Sequence, residues 1–187
     1  MQIVIAFISI IIFSQVSNAN IGKETGLEIP RYVSLKSNEA NIRVGPSKNY
    51  PIEIKFIIKN YPLKVLEEYE EWRRVEDFKK NIGWIHKSLI SGTRTGIVLS
   101  NENKTIKLLN TLDGNVIGEI GKGNIVFLEK CKIDWCLVSS GNYKGWIDKK
   151  HIWGVKEKEI IKISFFQKFE DIYWKSLNSL KKTQKRF

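Results

Sequence analysis

The side chains able to do chemistry in this chain are few: two histidines, two cysteines, a run of carboxylates and six tryptophans. His86 and His151 end two similar stretches and do not converge on one site, so a structural or rim role fits them better than general-base catalysis. No serine lies in a Gly-x-Ser-x-Gly elbow. Glu67, Glu68, Glu70 and Glu71 crowd one turn sequence, as a solvated turn would, and do not read as a separated acid–base pair. Gly118 to Gly123 reads Gly-x-x-Gly-x-Gly, but no Lys-Ser or Lys-Thr follows and no βαβ pattern surrounds it. No residue is therefore assigned to catalysis, to a metal or to a cofactor. What remains is aromatic: Trp72, Trp84, Trp135 and Trp146, with Tyr50 and Tyr61 each followed by proline. Such side chains build grooves for extended peptides, which lose little entropy on docking.

The elements that position these residues come in two copies. Trp72-Arg73-Arg74-Val75 matches Trp135-Cys136-Leu137-Val138, and Gly83-Trp84-Ile85-His86-Lys87 matches Gly145-Trp146-Ile147-Asp148-Lys149. Val65-Leu66-Glu67 aligns with Phe127-Leu128-Glu129, and Ile42-Arg43-Val44 with Ile106-Lys107-Leu108 across a small gap. A period near sixty residues suits a small domain in tandem better than a solenoid unit. Short apolar runs divided by polar turns, such as Ile52 to Ile58, Leu63 to Leu66 and Trp72 to Val75, predict an all-β barrel or sandwich. Alternation along a strand puts Trp72 and Trp84 on the face opposite Val75 and Ile85. If those aliphatics fill the barrel, the tryptophans lie outside it, as do Trp135 and Trp146; rim or core packing of the rings is the alternative.

The ends read differently. Ile3 to Phe13 is an apolar run broken only by Ser9, followed by Ser17-Asn18-Ala19. That pattern predicts a secretory signal over residues 1–19, cleaved near Ala19; an uncleaved anchor is the alternative, since Met1-Gln2 carries no Lys or Arg. Export would favour pairing of Cys131 and Cys136, a disulfide across a hairpin neck contributing about 2 kcal/mol for so short a loop. A metal or redox pair is the other reading, with no further cysteine or clustered histidine to complete a site. From Lys156, Ile161, Phe165, Phe169, Ile172-Tyr173, Leu177 and Leu180 recur at helical spacing. This predicts an amphipathic helix and basic tail over 156–187, packed on the barrels or contacting a partner or a membrane surface.

Asn41-Ile42-Arg43-Val44-Gly45-Pro46-Ser47, Tyr50-Pro51-Ile52, Trp72-x-x-Val75 and Gly83-Trp84-Ile85-His86-x-x-Leu89 together resemble bacterial SH3 (SH3b) domains. The tandem form, with its Cys-x4-Cys hairpin and Trp153-Gly154-Val155 end, resembles periplasmic SH3-domain proteins. The resemblance implies a mainly β chain of two SH3-like barrels, over 31–92 and 93–155, plus the C-terminal α-helix. It implies binding and not catalysis, with Trp72 as the groove tryptophan and Tyr50 and Tyr61 as its wall. The implied ligand is a cell-wall (peptidoglycan) peptide. Alternatives are an extended segment of an envelope partner protein and, more remotely, service as the accessory subunit of a cell-wall enzyme. The second copy has Leu108-Leu109-Asn110 where the family turn belongs, so the first copy is the better binding candidate.

A net charge of +11 raises nucleic acid as a partner. The surplus is spread as −1, +4, +3 and +5 over residues 20–30, 31–92, 93–154 and 155–187, without a dense basic stripe. Nucleic-acid binding is not expected; an anionic wall or membrane uses the same charge.

Overall fold

The computed structural model describes residues 20–100 and 104–162. The expected signal segment lies outside the described residues. A short hairpin of β1 (Asn20–Ile21) and β2 (Glu28–Ile29) precedes two seven-stranded antiparallel sheets. The first contains β3 (Arg31–Leu35), β4 (Ala40–Arg43), β5 (Ile52–Phe56), β6 (Pro62–Tyr69), β7 (Trp72–Glu76), β8 (Ile82–His86) and β9 (Ile90–Ser91). The second contains β10 (Thr95–Val98), β11 (Ile106–Leu109), β12 (Val116–Ile120), β13 (Ile125–Cys131), β14 (Trp135–Ser140), β15 (Tyr143–Asp148) and β16 (Ile152–Trp153). Their strand orders, β5-β4-β8-β7-β6-β3-β9 and β12-β11-β15-β14-β13-β10-β16, are the same order twice. Each sheet curls around its own core. Val33, Leu35, Ile42, Leu63, Val65, Val75 and Ile85 fill the first, and Val98, Leu108, Val126, Leu128, Val138 and Ile147 the second. Each fully buried aliphatic side chain stabilises its barrel by about 1.5–3 kcal/mol.

Pairing registers correct two details of the internal match. Both barrels carry a bulge in the same place, between Ile42 and Arg43 and between Leu108 and Leu109, so Ile42 corresponds to Leu108 and not to Ile106. The loop after it is two residues shorter in the second barrel: Val44 donates to the carbonyl of Pro51, Asn110 to that of Asn115. Likewise Val65 and Leu128 face Val75 and Val138, so Leu128 and not Phe127 is the core residue there. The glycine ahead of each β8/β15 tryptophan is explained by close approach. A Cβ on Gly83 would stand 2.9 Å from the Arg43 carbonyl oxygen, and one on Gly145 3.1 Å from that of Leu109.

The barrels share a seam. On β10, Ile97 packs into the first core while its neighbour Val98 packs into the second, the alternation of a strand serving two interiors. The Thr95 hydroxyl donates to the Asn60 carbonyl at 2.7 Å, and Tyr32 stands edge-on to Trp153 at 5.3 Å.

The expected helix does not begin at Lys156. Lys156–Lys162 holds a turn and an extended stretch in which Ile161 exchanges both backbone hydrogen bonds with Cys131. Tertiary partners outcompete the helical pattern here. Lys149 Nζ donates to the carbonyls of Glu157 and Glu159, and the Glu159 carboxylate accepts from Arg94 and from the Lys156 amide. The rest of the segment expected to be helical, residues 163–187 with the basic tail and the expected membrane contact, lies outside the described residues.

Candidate functional site

The outer side of the first barrel carries a groove of about 570 Å³ between the β4–β5 loop and the β6–β7 turn. Pro46, Ser47, Lys48 and Tyr50 line one side; Tyr69, Glu70, Glu71, Trp72 and His86 form the floor and the other side. Local rules put each there. Tyr69 and Trp72 are directly paired across a two-residue turn, Glu70-Glu71, so their rings share one end of the hairpin. Glu70 supplies the positive φ of that turn, +47°, where glycine is usual. Trp72 is also paired with His86 on β8, and the two rings meet edge to face at 5.4 Å and 86°. The Ser88 amide donates to His86 Nδ1, which leaves Nε2 as the donor of the neutral ring.

Tyr50 reaches the groove because its loop is fixed. The Arg43 guanidinium donates to the Tyr50 carbonyl at 2.6 Å, and the Tyr50 ring lies over Gly45, where an added Cβ would meet ring carbons at 2.7 Å. This is what the Gly-Pro-Ser turn contributes: a flat bed for an aromatic wall. Tyr50 is 46% exposed and Trp72 only 8%, so one is an open wall and the other a packed floor. At the rim, the Glu71 carboxylate is held below the ordinary range by its bond from Lys87 at 2.7 Å.

Of the six aromatic residues singled out from sequence, the groove gathers Tyr50 and Trp72. Trp84 sits behind it, edge-on to Tyr69 at 6.4 Å. Tyr61 does not join them. It is buried in the first core against Phe56 at 4.6 Å, and its hydroxyl pKa is raised by that burial and then by the nearby charge of Asp77. Tyr-Pro signals a strand start here, not a groove wall. Tyr69 and His86 were missed as lining residues; the two-residue turn that sets Tyr69 opposite Trp72 was the available signal.

Trp135 and Trp146 hold the corresponding places on the second barrel in altered company. Trp135 faces Asp148 where Trp72 faces His86. Lys132 takes the place of Tyr69, its ammonium 5.7 Å from the Trp146 ring. The shortened loop Asn110–Asn115 offers no aromatic to replace Tyr50.

Cys131 and Cys136 are disulfide-bonded, directly paired across β13 and β14. The same register in the first barrel holds Glu68 and Arg73, both buried. Burial works against the Glu68 charge, but bonds from the Thr25 hydroxyl, Arg31 and the amides of Thr25 and Glu24 bring its pKa down to about 2. Among the described residues no group of three or more His, Cys, Asp or Glu could hold a metal ion.

The model of the bacterial SH3 domain family matches residues 36–92 and 111–154. A comparison with curated protein sequences finds no match. Among solved structures the chain is similar to NlpC2 and NlpC1 of Trichomonas vaginalis, at 11% and 13% identity and a TM-score of 0.30 each, over 71% and 76% of this chain and 51% of each of those. An NlpC/P60 family protein of Bacillus cereus matches at 9% identity and a TM-score of 0.29, over 70% of this chain and 58% of that one. The chain thus spans about half the length of these structures.

Proposed function

The chain belongs to the bacterial SH3 domain family, and on that premise we propose that it is an exported, non-catalytic module that binds cell-wall peptide through the aromatic groove of its first barrel. The observation that carries this reading is the convergence of Tyr50, Tyr69, Trp72 and His86 on one open channel. Rigid rings give a large contact area with few rotors to freeze, which suits a flexible, extended ligand. The channel is rimmed by both signs of charge, Lys48 on one side and Glu70 and Glu71 on the other, so it can take a chain bearing both carboxylates and amines. The disulfide supports export, since such bonds persist in oxidising compartments. The second barrel, whose shortened Asn110–Asn115 loop has no aromatic in place of Tyr50, lacks this groove.

The test is co-sedimentation of the chain from Asn20 onward with insoluble peptidoglycan. The parent is expected in the pellet at low salt, and Trp72→Ala at least tenfold weaker. A parent that stays in the supernatant defeats the wall ligand and favours a partner-protein segment. A Trp72→Ala protein that pellets like its parent defeats the groove.

A further inference from the structure

In the first barrel, three rings close the end beside the β7–β8 turn. Phe56 lies 4.6 Å from Tyr61, and Tyr61 lies 6.3 Å from Phe78, centroid to centroid. Phe78 is held there by a loop that Asp77 organises, its carboxylate accepting from the amides of Lys79 and Asn81 and from the Asn81 side chain.

The second barrel has lost all three. Strand registers place Ile120 where Phe56 stands, opposite Ile106 as Phe56 is opposite Ala40. Asn124 replaces Tyr61: Val98 donates to its carbonyl as Leu35 donates to that of Tyr61. Ser140 replaces Asp77, and with no carboxylate to organise a loop the turn shrinks to Gly141-Asn142, with no counterpart of Phe78. The vacated end is an open-mouthed cavity of about 420 Å³. Leu108, Ile120 and Val138, all core residues, form its floor; Asn124, Ser140, the exposed Glu119 and the 70% exposed Tyr143 stand around its mouth.

We propose that this cavity is a second binding site, for one aromatic or branched apolar side chain presented on a peptide. The first barrel is the template for the occupant, since it fills the corresponding space with rings of its own. The size fits: a dry apolar cavity of about 150 Å³ already holds benzene. The mouth fits as well. The Asn124 amide, which donates to the Gly121 carbonyl at 2.9 Å, and the Ser140 hydroxyl are placed to meet a peptide backbone while the floor takes the side chain. The site is on the opposite module from the groove and stands or falls without it.

The experiment is titration of the ¹⁵N-labelled chain with N-acetyl-phenylalanine methylamide, and with the glycine analogue as control. Saturable shifts are expected at Gly121, Asn124, Ser140 and Tyr143 with the phenylalanine probe, at millimolar concentration, and at least tenfold weaker binding with glycine. Asn124→Tyr restores the ring of the first barrel and is expected to weaken binding at least tenfold while keeping a dispersed spectrum. Ser140→Phe, which closes the mouth from the other side, serves if that variant fails to fold. No saturable shift in the parent overturns the proposal, as do equal responses to both probes or undiminished binding in a folded, plugged variant.

Discussion

One topology, built twice in this chain, closes its β-hairpin neck by opposite chemistry. Between β6 and β7 the buried cross-strand pair is Glu68 and Arg73; between β13 and β14 the same register holds the disulfide of Cys131 and Cys136. Each neck is also covered by a flanking segment. In the first barrel residues 20–27 fold over Glu68, whose carboxylate accepts from Glu24 and Thr25; in the second, Ile161 pairs with Cys131. Even the clasping arginine recurs. Arg31 on β3 grips Glu68, and Arg94, immediately before β10, finding cysteine at the matching place, grips Glu159 from the C-terminal segment. The difference teaches that the fold asks for a covered, crosslinked neck and is indifferent to whether the link is ionic or covalent. The two links fail under different conditions, which makes the comparison testable.

The largest effect is expected from Glu68→Ala. It leaves the half-buried Arg31 and the buried Arg73 without their counter-charge and strips the N-terminal hairpin of its acceptor, so the first barrel should lose about 3–5 kcal/mol. Native-state hydrogen exchange, read separately on β7 and β14 amides, gives the partition. A loss below about 1 kcal/mol, or one shared equally by both barrels, breaks the claim that this pair locks the first neck. Acid should do the same work reversibly. The folded pKa of Glu68, about 2, lies below its ordinary value of 4.5. The stabilisation is therefore complete above pH 4.5 and is lost as pH falls through 4.5 towards 2. By linkage it amounts to about 3 kcal/mol in the first barrel. Glu68→Gln should flatten that part of the pH profile; an unchanged profile would assign the acid sensitivity to another carboxylate.

Reduction is the mirror experiment and a smaller one. Breaking Cys131–Cys136 releases a short loop, so the second barrel should lose about 2 kcal/mol in a thiol reductant while the first is unaffected. A first barrel that loosens equally would mean that the shared seam through Ile97 and Thr95, and not the neck, sets the stability of both.

This equivalence was hidden in the sequence, although the repeat itself was legible. Tryptophan, glycine and valine spacing gave away two modules because each residue answers to a backbone demand: Gly83 and Gly145 to a crossing strand, Val75 and Val138 to the core. Glu68 read as part of a solvated acidic turn because nothing local distinguishes it from Glu67 or Glu70. Its four donors come from residues 24, 25 and 31, more than thirty-five positions away. The aromatic site was half legible for the same reason. Tyr50 and Trp72 could be read from motif, whereas the places of Tyr61 and Tyr69 depend on pairing that only the folded sheet reveals: Tyr61, expected in the wall, turns inward onto Phe56, and Tyr69, given no role from sequence, lies across the turn from Trp72. Residues 156–162 misled by period, since an apolar i, i+4 stripe begins there, but Cys131 needed a backbone partner and Ile161 supplies it.

The smallest expected change in stability carries the sharpest statement about binding. Tyr69 packs edge-on against Trp84, and Lys132 in the second barrel lies over Trp146 at the matching place. An edge-to-face pair contributes about 0.5–1.5 kcal/mol and an exposed cation–π contact about 0.5–1 kcal/mol. Tyr69→Lys in the first barrel therefore exchanges one contact for another already accepted by this fold, and its stability should change by less than about 1 kcal/mol. Its effect on the groove should be larger, because the ring beside Trp72 is replaced by a flexible stem. Co-sedimentation with peptidoglycan is expected to weaken severalfold, with the thermal midpoint nearly unmoved. If binding holds while Tyr69 is gone, the aromatic wall reduces to Tyr50 and Trp72, and the feature that separates the barrel with the groove from the one without it is the β4–β5 loop alone.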